Sequence, residues 1–327
     1  MMRAAVTVRA GGPEVILVEE RPIPSIPEPD WVLVQVKAAG LNRSEMYTRQ
    51  GHSPNVKFPR IQGIECVGIV QEDPSGQFTK GQQVAALMGE MGREYDGGYA
   101  EYAVLPKRIL KPFTSTLPWA TLGAVPEMYQ TVGGSLFEAL DIQAGETLLV
   151  RGGTSSIGLL SIQLAKRKGL ETIATTRQAS RVDFLKKHGA DHVVVDTTGS
   201  IGEEVKQIFP NGVNKVLELV GTATMKDSLR CCAKRGVVCM TGILGNSWEL
   251  PGFQPLTDIP QTVRLTSYGG GSENLSSKQL QDFLDGIQDD SIELPLGPRL
   301  TLDQVGEAHE KMEKSTAQGK MVIVMDG

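Results

Sequence analysis

The sequence predicts a two-part α/β molecule, a β-barrel-type module joined to a doubly wound parallel sheet. Three observations carry that expectation. A chain of 327 residues exceeds what one hydrophobic core usually serves. From Ala4 to Phe113 the text is strand-like, in short alternating runs broken by turn residues. After Pro126, apolar β runs recur at about the spacing of one strand plus one crossover helix.

Composition narrows the function. Hydrophobic residues make up 40% and charged residues 22%, with 37 Gly and 18 Pro, which describes a globular, turn-rich chain. Thirty-three basic against 38 acidic side chains leave a net charge of −5 without a long basic run. That balance offers nucleic acid or an anionic membrane little attraction. No stretch approaches the roughly twenty apolar residues of a membrane helix, and Met1–Ala10 opens directly into strand-like alternation. The expectation is a cytoplasmic protein with reduced thiols at Cys66, Cys231, Cys232 and Cys239.

In the first module the expected strands lie at 15–19, 31–37, 66–71 and 83–87, with a turn at Asp73-Pro74-Ser75-Gly76. The Pro-rich stretch from Arg21 to Pro29 should run extended as a surface connection. The later apolar runs fall at 147–150, 172–176, 192–195, 213–219 and 237–240, with a sixth at 262–266. Ser180 with Asp183, Ser200 with Glu203 and Thr224 with Asp227 read as helix starts, and Gly189 and Gly236 as helix stops. Ile157, Leu160, Ser161, Leu164 and Ala165 form a stripe able to pack on a sheet. Beyond Gly269-Gly270-Gly271, two helices and a strand are too few for a third domain and should return to the first module. The expected division is 1–125, 126–267 and 268–327.

The strand ending at Val150 leads into Gly152-Gly153-Thr154-Ser155-Ser156-Ile157-Gly158 and a helix, where a dinucleotide fold places its pyrophosphate against backbone N–H groups. Ser155 stands where the fingerprint has its middle glycine. The second strand ends at Thr176, where an NAD site would present a carboxylate to the ribose. Here no acid occurs between Glu171 and Asp183, while Arg177 and Arg181 could grip a 2′-phosphate. NADPH is the expected cofactor.

The chain resembles the zinc-free quinone oxidoreductase (zeta-crystallin-like) family of the medium-chain dehydrogenase/reductase superfamily, over essentially its whole length. The resemblance rests on the stretches Val36–Tyr47 and Ile61–Val70, the Gly152 loop running into Gln163-Leu164-Ala165-Lys166, and Gly189-Ala190-Asp191, Gly221, Gly242 and Gly319-Lys320-Met321-Val322. It implies a GroES-like catalytic domain beside a Rossmann domain. It implies that Asn42 and Tyr47 lie near the nicotinamide, Tyr47 either donating a hydrogen bond or proton to the developing oxyanion or packing on the cofactor. By position it adds Thr131, Asp196, Gly221, Thr241, Gly242, Ile243 and Ser267 to the cofactor contacts already read at Gly152, Thr154, Ser155, Ser156, Ile157, Gly158, Thr176, Arg177 and Arg181.

No metal is expected. Zinc alcohol dehydrogenases of the superfamily carry Cys and His at the positions that read Asn42 and Ile64 here, and His52, His188, His192 and His309 are scattered, with surface or helix-end roles expected. Glu65 could serve as a ligand or be structural, and the structural role is the expectation. Without a Lewis acid, a quinone or enone that spreads charge through its own π system is the better acceptor. Tyr95, Tyr99 and Tyr102 fit either a substrate cleft or a barrel strand and its turn. The alternatives are a 2-enoyl-thioester reductase and a nucleotide-binding structural or regulatory protein with little turnover. The resemblance implies that the edge of the sixth strand can pair with a second subunit, and a homodimer is expected.

Overall fold

The computed structural model describes residues 1–317 and 319–325. Two compact units divide the chain: Met1–Tyr129 with Gly271–Gly327, and Gln130–Gly270.

The first unit begins with β1 (Met2–Thr7), β2 (Ile16–Arg21) and β3 (Trp31–Gly40), then α1 (Arg43–Arg49). β4 (Arg60–Ile61), β5 (Glu65–Glu72), β6 (Gln83–Leu87), β7 (Tyr102–Pro106) and β8 (Leu110–Pro112) follow, with α2 (Trp119–Leu122) after them. β3 organises this barrel-type module. Along it Val32, Val34, Val36 and Ala38 are buried and alternate with half-buried residues, the period-two pattern of a strand with one face on the core. β5 lies antiparallel along one side of β3. The other side is shared: β7 pairs with Trp31–Gln35, and the late strand β16 (Lys320–Val324) pairs with Ala38–Gly40. β15 (Leu296–Leu300) runs parallel to β16. α9 (Ser277–Gln288) and α10 (Val305–Glu313) belong to this unit, and Ala308 and Met312 of α10 enter its core. Before β3, residues 22–27 lie outside any helix or strand, and a turn at 28–30 leads into the strand.

α3 (Pro126–Gly133) and a π-helical turn over Gly134–Ala139 precede the second unit's sheet. That sheet comprises β9 (Thr147–Arg151), β10 (Glu171–Thr176), β11 (His192–Val195), β12 (Val213–Glu218), β13 (Cys232–Met240) and β14 (Arg264–Ser267). Its order is β11-β10-β9-β12-β13-β14 and every pairing is parallel. Counted within the unit this is 3-2-1-4-5-6, the doubly wound order that reverses direction beside its first strand. α4 (Ser156–Arg167), α5 (Val182–Lys187), α6 (Gly202–Ile208) and α7 (Thr222–Cys231) are the crossovers, and the short α8 (Pro255–Asp258) precedes β14. Central strands covered on both faces read as continuous apolar runs, and Leu148, Leu149 and Val150 are fully buried.

The helix boundaries differ from the sequence expectation. α5, α6 and α7 begin after Arg181, Ile201 and Gly221, and none of these residues caps its helix with its side chain. The Asp227 carboxylate on α7 instead accepts the N–H groups of Ile201 (2.9 Å) and Gly202 (3.3 Å) at the start of α6. A cap supplied by another element leaves no local spacing to read. Gly236 lies inside β13, because α7 ends at Cys231 and the strand starts at the next residue.

Candidate functional site

The turn from β9 to α4 is built from backbone contacts that exclude larger side chains. Gly152 has φ +84°, and a Cβ on Gly158 would come within 2.6 Å of the Gly152 carbonyl oxygen. Gly152 N–H donates to Thr175 Oγ1 (3.0 Å) and Gly153 N–H to the Thr175 carbonyl (3.0 Å), so the end of β10 anchors the loop. Ser155 is the N-cap of α4: its Oγ accepts from Gly158 N–H at 3.0 Å and donates to the Gly152 carbonyl at 2.9 Å. The residue that departs from the glycine fingerprint therefore closes the loop with a hydroxyl. The N–H groups of Ser156 and Ile157 open the helix with no carbonyl one turn earlier inside it, which makes this end a cradle for an anion. A pyrophosphate fits it.

Other expected cofactor residues gather on the same carboxyl edge of the sheet. Thr176 ends β10 with its hydroxyl accepting from Gln178 N–H at 3.2 Å. Arg177 is exposed, and Arg181 lies with its guanidinium 5.4 Å from the Phe184 ring centre. Gly221, at φ +101°, follows β12 and packs on Gly242 after β13: a Cβ there would stand 2.9 Å from the Gly242 carbonyl oxygen. Thr241 and Ile243 flank Gly242, and Thr241 Oγ1 lies 2.8 Å from Ser135 Oγ. Ser267 is the last residue of β14 and Thr131 lies on α3. Asp196 follows β11, but its carboxylate is held by Arg151 Nη2 (2.6 Å) and Gly199 N–H (2.6 Å). Thr175 and Arg151 were missed in the sequence reading. Thr175 carries a weak signal, a hydroxyl one residue before the strand's end.

In the barrel unit, Asn42 belongs to a buried ionic cluster, and Tyr47 lies five residues further on, within α1. Lys320 Nζ lies 2.6 Å from Glu65 Oε1 and 3.2 Å from Glu127 Oε2, and it donates to Asn42 Oδ1. Asn42 Nδ2 donates to Glu65 Oε1 at 3.0 Å, and Glu127 N–H to Glu65 Oε2 at 2.8 Å. Glu45 accepts N–H groups from Asn42 and Ile64, each at 3.0 Å. Three carboxylates thus share one ammonium. Burial pushes the Glu45 carboxyl up to about 7 against the pull of the Ile64 N–H and of Lys320. Burial likewise raises Glu65, outweighing the attraction of Lys320. Burial alone would lower Lys320, yet Glu65 and Glu127 hold it above its ordinary value. Tyr47 is 9% exposed on α1, edge-on to His52 with ring centres 6.4 Å apart.

His309 departs from its expected surface or helix-end role. It is fully buried on α10, with Nδ1 accepting from Arg49 Nε at 3.2 Å, and burial beside that cation lowers it to about 3. Tyr99 is buried edge-on to His309, and Tyr95 donates its hydroxyl to the Gly89 carbonyl at 2.7 Å. Both serve the barrel.

Two family descriptions match the chain: "Alcohol dehydrogenase GroES-like domain" over residues 28–115 and "Zinc-binding dehydrogenase" over 156–285. The zinc of the second description does not suit the donors present. Asn42, Ile64 and Glu65 offer oxygen and hydrocarbon, the two polar groups are already engaged by Lys320, and no cluster of His, Cys, Asp and Glu that could hold a metal occurs among the described residues. The chain is 26% identical to mouse quinone oxidoreductase, across 99% of this chain and 98% of that protein. It is also 26% identical to the acryloyl-coenzyme A reductase of Sulfurisphaera tokodaii, across 93% and 95%. The structure of Escherichia coli quinone oxidoreductase complexed with NADPH shares the fold, with a TM-score of 0.88, 23% identity and coverage of 98% and 99%. With these two domains in succession the chain belongs to the medium-chain dehydrogenase/reductase superfamily, and it is similar over its whole length to quinone oxidoreductases.

Proposed function

We propose that this chain is a zinc-independent, NADPH-dependent reductase of quinones or enones. The observation that carries the reading is the N-terminus of α4 on the central strand, with Arg177 and Arg181 beyond β10 and no carboxylate between Glu171 and Asp183. Ser156 and Ile157 would hold the pyrophosphate, and the two arginines the 2′-phosphate. NADPH, when bound, supplies a hydride. Tyr47 and Asn42 serve the acceptor: Tyr47 offers its phenol to the oxygen that gains charge, and Asn42 is fixed by Lys320 and Glu65. A conjugated acceptor delocalises that charge, so positioning and one hydrogen bond suffice.

Replacing both Arg177 and Arg181 with alanine should raise the KM for NADPH at least about tenfold while moving that for NADH less than about threefold. An unchanged ratio of the two overturns the phosphate reading. The acyl-thioester reductase among the relatives supports a second reading, reduction of an enoyl thioester. An NADPH-oxidation screen of quinones, enones and enoyl thioesters separates the two, and NADPH binding without turnover of any of them would favour a binding protein. A cytoplasmic homodimer belongs to the same proposal. β14 pairs with β13 on one side, and no described strand covers its other edge, where Leu265 is exposed.

A further inference from the structure

β9 ends on Arg151, the residue immediately before the glycine turn, and its side chain is completely buried behind three apolar residues of the same strand. A guanidinium in such a place is tolerated only where its charge and donors are met. Nη2 lies 2.6 Å from Asp196 Oδ2 and 3.2 Å from the Gly199 carbonyl oxygen, and Nη1 lies 2.7 Å from Asp227 Oδ2. Glu218, at the end of β12, adds a third negative charge nearby.

Each of these carboxylates turns its remaining lone pairs to a loop. Asp196 accepts Gly199 N–H after β11, and Asp227 accepts the N–H groups of Ile201 and Gly202 at the start of α6. Glu218 accepts the N–H groups of Val220 (2.7 Å) and Gly221 (2.9 Å) after β12, together with the hydroxyls of Thr224 and Ser228. One buried cation therefore ties together the segments that follow β11 and β12, and its own backbone leads directly into the segment that follows β9. Those are three of the loops on the carboxyl edge where the anion cradle lies.

We infer that Arg151 is the positioning residue of the dinucleotide site: it touches no nucleotide and sets the loops that do. The inference rests on the dinucleotide reading above, which titration of the intact wild-type protein with NADPH and NADH tests first. Arg151→Met keeps side-chain length and removes the charge. It should weaken the Kd for both nucleotides by a common factor of about ten, lower kcat at saturating NADPH less than about threefold, and leave the NADPH-to-NADH preference in place. Arg151→Lys should recover part of the lost affinity for both. The Arg177 and Arg181 substitutions differ, because they change the preference. A folded Arg151→Met protein with wild-type Kd for both nucleotides overturns the inference. Should that variant not fold, Asp196→Asn and Asp227→Asn each cut one arm of the network and should weaken both nucleotides about threefold or more; wild-type affinity in both overturns it equally. A wild-type protein that binds neither nucleotide removes the dinucleotide reading instead, and this inference with it.

Discussion

Glu45 and His309 pull the pH dependence of stability in opposite directions. The Glu45 carboxyl, ordinarily near 4.5, is raised to about 7 by burial, so between these values the folded chain holds a proton that the unfolded chain has released. Its contribution to stability is present below pH 4.5 and is lost as the pH rises toward 7. His309, ordinarily near 6.5, is lowered to about 3 by burial and Arg49. Its contribution is present above pH 6.5 and is lost as the pH falls toward 3. Between about pH 4.5 and 6.5 the two effects oppose, each approaching about 1.4 kcal/mol per pH unit. Urea unfolding of Glu45→Gln should therefore show stability rising with pH more steeply than in the parent, and His309→Gln the reverse. A Glu45→Gln slope identical to the parent's means that Glu45 is ionised in the folded protein. Little of this chemistry was legible in the sequence. An arginine after an apolar run looks like a strand's solvated end, and a lone histidine in a helical stretch looks like a surface residue. Both are buried through partners distant in the chain: Arg151 through Asp196 and Asp227, and His309 through Arg49.

At the scale of the element, the β9–α4 turn can be dissected. Ser155→Ala removes the cap on Gly158 N–H and should cost about 1 kcal/mol. Gly158→Ala forces a methyl group against the backbone of Gly152 and Gly153 and should cost about 1–3 kcal/mol. Shifts in the urea midpoint check both, and a Gly158→Ala protein as stable as the parent would show that the helix can slide away from the strand. Strands were the readable elements. The runs expected at 147–150 and 192–195 fall within β9 and on β11; β9, covered on both faces, is apolar from Leu148 through Val150, while the edge strand β11 buries only Val194. Helix starts were less readable, since Asp227 caps a helix other than its own and Thr224 spends its hydroxyl on Glu218.

Over the whole chain, the rhythm of strand and crossover revealed the parallel sheet, and the shortage of elements after Gly271 pointed to a module that is discontinuous in sequence. The chemical cost of that discontinuity lies in Lys320, which no local pattern distinguishes from a surface lysine. Lys320→Met would leave Glu65 fully buried, and Glu127 half-buried, without their cation and should destabilise the barrel unit by about 3–5 kcal/mol. Chemical denaturation read at Trp31 and Trp119, both in that unit, measures the loss, and a change below about 1 kcal/mol would mean that Glu65, which burial raises, is already neutral.

The ionic cluster also sets an order of events during synthesis. Asn42 leaves the ribosome 278 residues ahead of Lys320, a delay of roughly a quarter of a minute to a minute at ordinary elongation rates. Residues 130–270, by contrast, form a contiguous unit that can settle while translation continues. The nascent barrel must wait with unneutralised acids and with the edge of β3 at Ala38–Gly40 unoccupied. A product released before β16 is made would lack both the closing strand and the counter-ion, which marks it for chaperones or proteases.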